Sequence, residues 1–378
     1  MRLAGELFVD FKRNCGASGV GISFARTVLS DATTPDAGNP FSSLAGIAVD
    51  SANNRALVTD AGLDAVIAVD LMSGARTVLS DATTSPDSPF SRPLGIAVDA
   101  IGNRALANTV GALIAIDLTS GERTILADAS TPDSDNSFDD PQDIALDATR
   151  NRALVASASG VAIIAVNLAT GARTVLSDSA TPDADNPFGH PWDIIVDEAN
   201  GRALVTDVEL NAVVGVDLIT GARSVLSSNA TPNADNPFDQ LGRIVLDSAN
   251  SRALVTDDGL AAVIAVDLAT GARTVLSSSN TPDDTTPFDR PEGIVLDPAN
   301  NRAWVADSEL DAVIVMDLTT GARTLLSDDT TPDANNRLDG PVDIVVDTVN
   351  DRILVVDEDF ESVIALHPNS GARVDFSR

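Results

Sequence analysis

The sequence Gly-Ala-Arg-Thr-Val-Leu-Ser, residues 74–80, recurs in near copies along the whole chain. The arginine of this motif occupies eight positions: Arg26, Arg76, Arg123, Arg173, Arg223, Arg273, Arg323 and Arg373. Successive copies lie 50 residues apart, except for one spacing of 47 residues. A fixed period of this length is typical of solenoids and propellers, in which one small structural unit is repeated.

Each unit contains four short β-rich segments with turn residues between them. In the first unit these segments are residues 46–50, 55–60, 65–70 and 75–80. None of them is long enough for an ordinary helix, and several are apolar throughout, as expected for strands buried on both faces of a sheet. Four strands per unit predict an all-β protein, a β-propeller with four-stranded antiparallel blades.

Seven complete units predict seven blades. We expect a propeller domain at residues 31–378, with the blades at about 44–80, 94–127, 142–177, 192–227, 242–277, 292–327 and 342–377. Residues 1–30 form a predicted N-terminal extension, and its copy of the last strand could close the ring so that no sheet edge stays open. Since the seventh unit has its own last strand at residues 373–376, eight blades with a degraded N-terminal blade remain an alternative.

The repeat resembles a known group of propellers. Residues 46–50 (Gly-Ile-Ala-Val-Asp), 57–60 (Leu-Val-Thr-Asp) and 66–70 (Val-Ile-Ala-Val-Asp) look like the NHL repeat and the related SMP-30/gluconolactonase-like blades. This resemblance covers all seven units, and it implies the fold; the group includes lactonases, lyases and binding modules. Amidating lyases of the NHL type rely on several histidine ligands, whereas this chain has only His190 and His367.

The composition excludes several classes of function. The chain has 378 residues and a formal net charge of −32, with 56 acidic and 24 basic side chains. Binding to nucleic acid needs clustered Lys and Arg, so neither nucleic acid nor an anionic membrane is an expected partner. The excess of acidic side chains favours a protein adapted to high salt, or alternatively a GC-rich genome.

Further motifs and targeting segments are missing from the sequence. A single cysteine, Cys15, excludes a disulfide framework. No phosphate loop, dinucleotide fingerprint or nucleophile elbow is present, so we expect no organic cofactor. The N-terminal apolar run is too short for a signal peptide. The protein is therefore expected to be cytoplasmic, or secreted with its leader removed, and monomeric.

Three series of acidic residues have predicted structural roles. Asp50 and its six repeats lie five residues before an arginine, such as Arg55, with which they can pair across the hairpin. Asp70 and its repeats could pair with the motif arginine, and His367 takes their place in the last unit as a turn residue. Asp60 and its repeats are predicted to cap loops, with Asn108 and Ser157 as their replacements in the second and third units.

The candidate site lies where the units differ from one another. Copies of the segment that begins each innermost strand diverge, and a symmetric ring gains an asymmetric pocket only at such positions. The predicted ligand-binding residues are Gln142, Asp143, His190, Trp192, Asp193, Arg243, Glu292 and Asp343. Asp143, Asp193, Glu292 and Asp343 are also candidate ligands for Ca²⁺ or another divalent cation, because clustered carboxylates need a neutralising charge. In gluconolactonase-like propellers a divalent metal lies in this region, so the resemblance implies the same region here.

A second candidate for Ca²⁺ is the acidic loop between blades. It reads Thr-Pro-Asp-Ala-Asp-Asn at residues 181–186, with similar sequences after most other units. Asp and Asn oxygens suit Ca²⁺, but the spacing is not that of an EF-hand. The alternative is a Pro-Asp turn with solvated charge.

Two functions follow from these observations. The first is a rigid acidic scaffold that binds a small ligand or a protein partner on its loop face, with or without a divalent cation. The alternative is a metal-dependent hydrolase of lactones or esters that uses the carboxylates at the channel mouth to activate water.

Overall fold

The protein is a seven-bladed β-propeller, as the repeat predicts. The computed structural model describes residues 27–30, 41–85, 90–132, 138–182, 184–232, 234–282, 284–332 and 338–371. Within these residues the strands form seven sheets, each with four antiparallel strands. No helix among the described residues is long and apolar enough to cross a lipid bilayer.

The 28 strands follow the order of the repeat, and each blade runs from its innermost to its outermost strand. Strand β1 is Thr27–Ser30. Blade 1 contains β2–β5 (Leu44–Asp50, Arg55–Asp60, Ala65–Asp70, Arg76–Ser80), and blade 2 contains β6–β9 (Ile96–Asp99, Arg104–Thr109, Ala112–Asp117, Arg123–Ala127). Blade 3 contains β10–β13 (Pro141–Asp147, Arg152–Ser157, Ala162–Asn167, Arg173–Ser177), and blade 4 contains β14–β17 (Pro191–Asp197, Arg202–Asp207, Ala212–Asp217, Arg223–Ser228). Blade 5 contains β18–β21 (Leu241–Asp247, Arg252–Asp257, Ala262–Asp267, Arg273–Ser278), and blade 6 contains β22–β25 (Pro291–Asp297, Arg302–Asp307, Ala312–Asp317, Arg323–Ser327). Blade 7 contains β26–β28 (Pro341–Asp347, Arg352–Asp357, Ser362–Leu366). Five one-turn 3-10 helices follow innermost strands, at Ser51–Asn53, Ala148–Arg150, Glu198–Asn200, Ser248–Asn250 and Pro298–Asn300.

The N-terminal strand closes the ring. Strand β1 pairs antiparallel with β28, with Thr27 opposite Ala365, so blade 7 has the order β1-β28-β27-β26. The eight-bladed alternative is therefore wrong: the N-terminal copy of the motif supplies the fourth strand of the seventh blade. The segment at 373–376 and the remainder of the extension before residue 27 lie outside the described residues.

The core lies between neighbouring blades. The second and third strands of each blade are buried almost throughout, which explains why their sequences are continuously apolar. One cluster joins Ile163 of blade 3 to Val214 of blade 4. An equivalent cluster joins Ile67 of blade 1 to Val363 of blade 7, so the same packing continues across the closure of the ring.

The predicted pairs between the first aspartate series and its arginines are confirmed in all seven blades. In blade 4, Arg202 Nε lies 3.1 Å from Asp197 Oδ2. The same guanidinium donates through Nη2 to the carbonyl of Leu268 in blade 5, at 2.6 Å. Asp197 also accepts a hydrogen bond from the backbone N–H of Asn200, which closes the 3-10 turn. Each pair therefore fixes a turn, and most of these arginines also hold the adjacent blade.

The motif arginines reach into the preceding blade. Arg223 donates from Nη1 to Ser177 Oγ at 2.7 Å and from Nη2 to the carbonyl of Asp185 at 2.8 Å, and it lies over the ring of Phe188. The neighbouring glycine of the motif, Gly221, has φ +74, and a Cβ there would lie 1.7 Å from the carbonyl oxygen of Leu176. Glycine is thus required by the close approach of two blades as well as by the turn.

The expected pairing of the third-strand aspartates with the motif arginines is not what the structure shows. Asp70 instead accepts hydrogen bonds from the backbone N–H groups of Met72 and Ser73 and closes its own turn. Burial raises the pKa of Asp70, but hydrogen bonds from the Ser73 hydroxyl and from these N–H groups bring it below its usual value. His367 occupies the equivalent turn and accepts from the N–H of Asn369 through Nδ1, as predicted.

The aspartates that end the second strands cap loops, as predicted. Asp207 accepts from the backbone N–H groups of Gly189 and His190 and from that of Leu210. Ser157 accepts from Asp139 in blade 3. In blade 2 the sequence predicted Asn108 in place of the aspartate, and this prediction is wrong by one residue. Thr109 occupies the position, and its Oγ1 accepts from the backbone N–H of Ser91.

Candidate functional site

A cavity opens at one end of the central channel. It lies on the loop face, defined here as the end of the ring where each innermost strand begins and each second strand ends. Its volume is about 580 Å³. The lining residues come from blades 1, 4, 5, 6 and 7: Leu44, Ala45, Trp192, Val208, Gln240, Leu241, Gly242, Arg243, Asp258, Arg290, Pro291, Glu292, Val342 and Glu358.

Trp192 and Arg243 divide the channel mouth into two lobes. A smaller cavity of about 130 Å³ lies on the side of blades 1–3 and shares Ala45, Trp192 and Arg243 with the large one. Leu94, Gly95 and Gln142 complete the wall of this small lobe. Trp192 is 39% exposed, which is high for tryptophan and leaves part of its ring facing the cavity.

Three predicted carboxylates connect neighbouring innermost strands. Asp143 accepts from the backbone N–H of Ile194, and Asp193 accepts from that of Ile244 at 2.7 Å. Asp343 accepts from the N–H of Ile47 across the closure of the ring. In blades 3, 4, 5, 7 and 1 the pairing register shifts near the start of the innermost strand. Carboxylates at these shifts provide acceptors for N–H groups of the following blade.

Arg243 is the counterion of this carboxylate ring. Its Nη1 lies 3.1 Å from Asp193 Oδ1 and 3.9 Å from Asp143 Oδ1. Burial and the adjacent charge of Asp193 raise the pKa of Asp143 well above the usual range, and Arg243 opposes this shift. Burial also raises the pKa of Asp343, again with Arg243 acting in the opposite direction. The cation that the clustered carboxylates require is therefore supplied by the protein itself.

A second charged group lies in the large lobe. Glu292 Oε1 accepts from Ser308 Oγ at 2.9 Å and lies 3.3 Å from Arg290 Nε. Arg290 also contacts Asp258, at 3.5 Å. Burial raises the pKa of Glu292, while the hydrogen bond from Ser308 lowers it. Glu292 thus belongs to a second network on the cavity wall, and the charge of Arg243 also lowers its pKa.

The structure brings most predicted site residues to the channel mouth. Trp192, Arg243 and Glu292 line the large lobe, and Gln142 lines the small one. Asp143, Asp193 and Asp343 contact adjacent strands, and the first two also lie against Arg243. His190 does not line either cavity, but its ring stacks on Trp192 with the centroids 6.2 Å apart.

Sequence reasoning missed several lining residues. Arg290 and Gln240 come one residue before innermost strands, and Asp258 and Glu358 come one residue after the aspartates that end second strands. A comparison of equivalent loop positions across the 50-residue units could have identified them. Position 258 is valine in blade 4 and serine in blade 6, so these loop positions also differ between copies.

The carboxylates at the channel mouth already have other partners. No group of three or more His, Cys, Asp or Glu side chains is arranged to hold a metal ion among the residues that the structure describes. The channel carboxylates contact backbone N–H groups and Arg243, whereas Ca²⁺ requires six to eight oxygen ligands at about 2.3–2.6 Å. For the loop candidate, Asp183 and its equivalents in the other loops lie outside the described residues. The divalent cation remains a prediction from the sequence.

Known proteins share the fold at low sequence identity. No family model and no curated protein matches the chain. The streptogramin B lyase structure superposes with a TM-score of 0.61 and 15% identity, covering 87% of this chain and 94% of the other. The hydrazine synthase structure from Kuenenia stuttgartiensis has a TM-score of 0.63 and 12% identity, with coverage of 88% and 97%. The extracellular domain of a hybrid two component system from B. thetaiotaomicron has a TM-score of 0.65 and 14% identity, covering 86% of this chain and 40% of the other. These likenesses support the β-propeller fold and carry no information on activity.

Proposed function

We propose that the protein binds a small organic ligand in the cavity on its loop face. The observation that carries this proposal is the asymmetry of the channel mouth. Blades that are nearly identical elsewhere form here a cavity of about 580 Å³, with an exposed Trp192 ring beside the charged pair Arg290 and Glu292. Ligand sites are typically concave, of about 300–1,000 Å³, and mostly apolar with a few oriented polar groups.

A thermal-shift screen with small molecules tests the proposal. Ala45→Phe adds a ring to the wall shared by both lobes and should block binding. Ile219→Ala is the matched control, because Ile219 is 79% exposed in a turn at the opposite end of the ring. A ligand at about 100 times its Kd stabilises the native state by about 2.7 kcal/mol. We expect such ligands to stabilise the wild type and the control variant, but not Ala45→Phe.

Intrinsic fluorescence provides an independent measurement. Of the two tryptophans, Trp192 faces the cavity and Trp304 is 2% exposed. Ligands found in the screen should change the emission of the wild type, and Trp192→Phe should remove this change. Ligands that act equally on Ala45→Phe and on the wild type would place binding elsewhere and refute the proposal.

The alternative of a metal-dependent lactonase or esterase has no specific support from the geometry. Of the carboxylates that would hold the metal, Asp143, Asp193 and Asp343 accept from backbone N–H groups of the following blade. Glu292 binds Ser308 and Arg290. This alternative therefore depends on the calcium titration described in the Discussion.

A further inference from the structure

The outer slot of blade 7, defined here as the fourth-strand position beside β28, is filled by β1. Thr27 lies opposite Ala365 and Ser30 lies opposite Val363, with a register shift between the two pairs. Blade 1 has the same pairs and the same shift, with Thr77 opposite Ala68 and Ser80 opposite Val66. In blade 1, however, the fourth strand belongs to the same unit as the other three. The N-terminal strand has therefore taken a place that the repeat normally fills from within the unit.

A strand in this slot also supports the next blade. Leu29 is 3% exposed and belongs to the apolar cluster between blades 7 and 1. The hydroxyl of Ser30 accepts from Arg76 Nη1 at 2.5 Å. A Cβ on Gly74 would lie 1.7 Å from the carbonyl oxygen of Leu29, so the two backbones are in close contact. A strand that fills the slot must therefore supply an apolar side chain followed by a serine.

The backbone of blade 7 follows the repeat as far as Gly371. A Cβ on this glycine would lie 1.8 Å from the carbonyl oxygen of Leu326 in blade 6. Gly321 makes the equivalent approach to Leu276 at 1.7 Å, and the fourth strand of blade 6 begins two residues later, at Arg323. The chain of blade 7 therefore reaches the slot that β1 fills.

The sequence after Gly371 contains a second copy of the strand that fits this slot. Residues 373–377 read Arg-Val-Asp-Phe-Ser, and residues 26–30 read Arg-Thr-Val-Leu-Ser. Both copies have the motif arginine, an apolar residue at the position of Leu29 and a serine at the position of Ser30. The second copy thus meets both requirements of the slot, so one slot has two candidate strands.

We infer that residues 373–377 are an alternative fourth strand of blade 7, which takes the slot when β1 leaves it. β1 is the better occupant for two reasons. Asp375 stands where β1 has Val28, and aspartate is disfavoured in strands. Phe376 is larger than Leu29, and an enlarged side chain in a packed interface is destabilising. The two arrangements form a two-state equilibrium in which β1 is the major occupant.

The exchange changes what closes the ring. With β1 in the slot, backbone pairing joins the N-terminal strand to the last unit. With residues 373–377 in the slot, blade 7 is complete by itself. The joint between blades 7 and 1 then depends on side-chain packing and on the hydrogen bond from Arg352 to the carbonyl of Leu71. This equilibrium does not depend on ligand binding at the loop face.

A double-mutant cycle in the full chain tests the exchange. Leu29→Asp removes the apolar side chain of β1, and Phe376→Asp removes that of the alternative strand. Leu276→Asp makes the same change in blade 5, whose slot has one strand, and should lower the melting temperature by about 8 °C. We expect Leu29→Asp to lower it by less than about half of this shift, and Phe376→Asp by less than about 1 °C. The double variant should lose about as much as Leu276→Asp, which exceeds the sum of the single variants.

Disulfide trapping identifies the strand in the slot. In a Cys15→Ser background, Thr27→Cys/Ala365→Cys traps β1, and Val374→Cys/Ala365→Cys traps the alternative strand. Opposite residues of antiparallel strands have Cα atoms about 4.5–5.5 Å apart, which a disulfide can span. The first pair should crosslink in the chain without further changes. The second pair should crosslink at least about tenfold faster when Leu29→Asp is added, because this change displaces β1.

Three results would overturn the inference. If Phe376→Asp has the same small effect in the Leu29→Asp background as in the wild type, the slot has no second strand. If the second cysteine pair crosslinks equally fast with and without Leu29→Asp, residues 373–377 do not exchange with β1. Val374→Asp is the matched control, because its position corresponds to the exposed Thr77 and should shift either background by less than about 1 °C. An effect as large as that of Phe376→Asp would indicate a general influence of the C-terminal residues instead of a strand in the slot.

Discussion

Replacing Arg352 by leucine should weaken the closure of the ring. Arg352 is 1% exposed; its Nε donates to Asp347 Oδ2 at 2.7 Å, and its Nη2 donates to the carbonyl of Leu71 at 2.5 Å. Since Leu71 lies in blade 1, this side chain joins the last blade to the first. The variant leaves the carboxylate of Asp347 buried without its counterion. Breaking a buried ion pair from one side costs about 3–5 kcal/mol, and we expect the free energy of unfolding to fall by about this amount.

The repeat supplies a matched control. Arg152 makes the same contacts from blade 3 to blade 4, but Asp147 keeps a second counterion, because Arg150 Nη1 lies 3.2 Å from its Oδ1. Arg152→Leu should therefore cost about 1–3 kcal/mol. The double variant Arg352→Leu/Asp347→Leu should recover part of the loss, because it removes the unpaired charge.

Urea unfolding measures these differences. Far-UV circular dichroism follows the sheets, and the emission of Trp304 follows the region near the closure, because its indole N–H donates to the carbonyl of Pro368 in the segment after β28. The midpoint and the slope together give the free energy of unfolding. A loss below about 1 kcal/mol in Arg352→Leu, or a loss equal to that in Arg152→Leu, would refute the argument that the buried, unpaired carboxylate of Asp347 sets the cost.

Three further predictions concern pH, the motif arginine and metal. Burial raises the pKa of Asp257 and of Asp307 to about 6, although loop N–H donors oppose the shift. Both values exceed the value of about 3.9 in the unfolded chain, so the free energy of unfolding should rise by about 1 kcal/mol per residue as pH falls from 7 to 5. Urea unfolding of the double variant Asp257→Asn/Asp307→Asn should not show this rise. Arg223→Lys loses the planar donors to the blade 3–4 loop and should lower the free energy of unfolding by about 2–3 kcal/mol, whereas a melting temperature equal to that of the wild type would contradict this role. In a calorimetric titration of the metal-free protein with Ca²⁺, we expect the wild type and Asp193→Ala/Glu292→Ala to behave alike, without a tight site at the channel mouth. A tight site that is present in the wild type and lost in the variant would support the hydrolase alternative and call for a screen of lactones and esters.

The period of the repeat was sufficient to predict the blades. Each 50-residue unit carries its own strands and turns, so local patterns identify them without knowledge of the ring. The pairs between Asp197 and Arg202 and their equivalents were predictable for the same reason, because both partners lie on one hairpin. Asn108 was predicted in the wrong position because the second unit is shorter than the others and has a threonine, Thr109, where most units have an aspartate.

Contacts between blades were not predictable in this way. The sequence places Asp70 six residues before Arg76, but the arginine extends across to Ser30 of the strand that closes blade 7. Asp143 and Asp193 were predicted near the channel mouth, but their role as acceptors for the following blade depends on the shift in strand register. Neither fact can be read from a single unit, since each partner belongs to a different one.

Each unit encodes its own hairpins, so the seven blades and the positions where the copies diverge follow from the amino-acid sequence alone. Which of the divergent side chains lie next to one another depends on the closed ring. Closing the ring brings residues 49 or more positions apart to one axis, so Trp192, Arg243 and Glu292 share a cavity that no unit contains. The closure likewise assigned the N-terminal strand to blade 7, because its backbone groups are satisfied by pairing with β28.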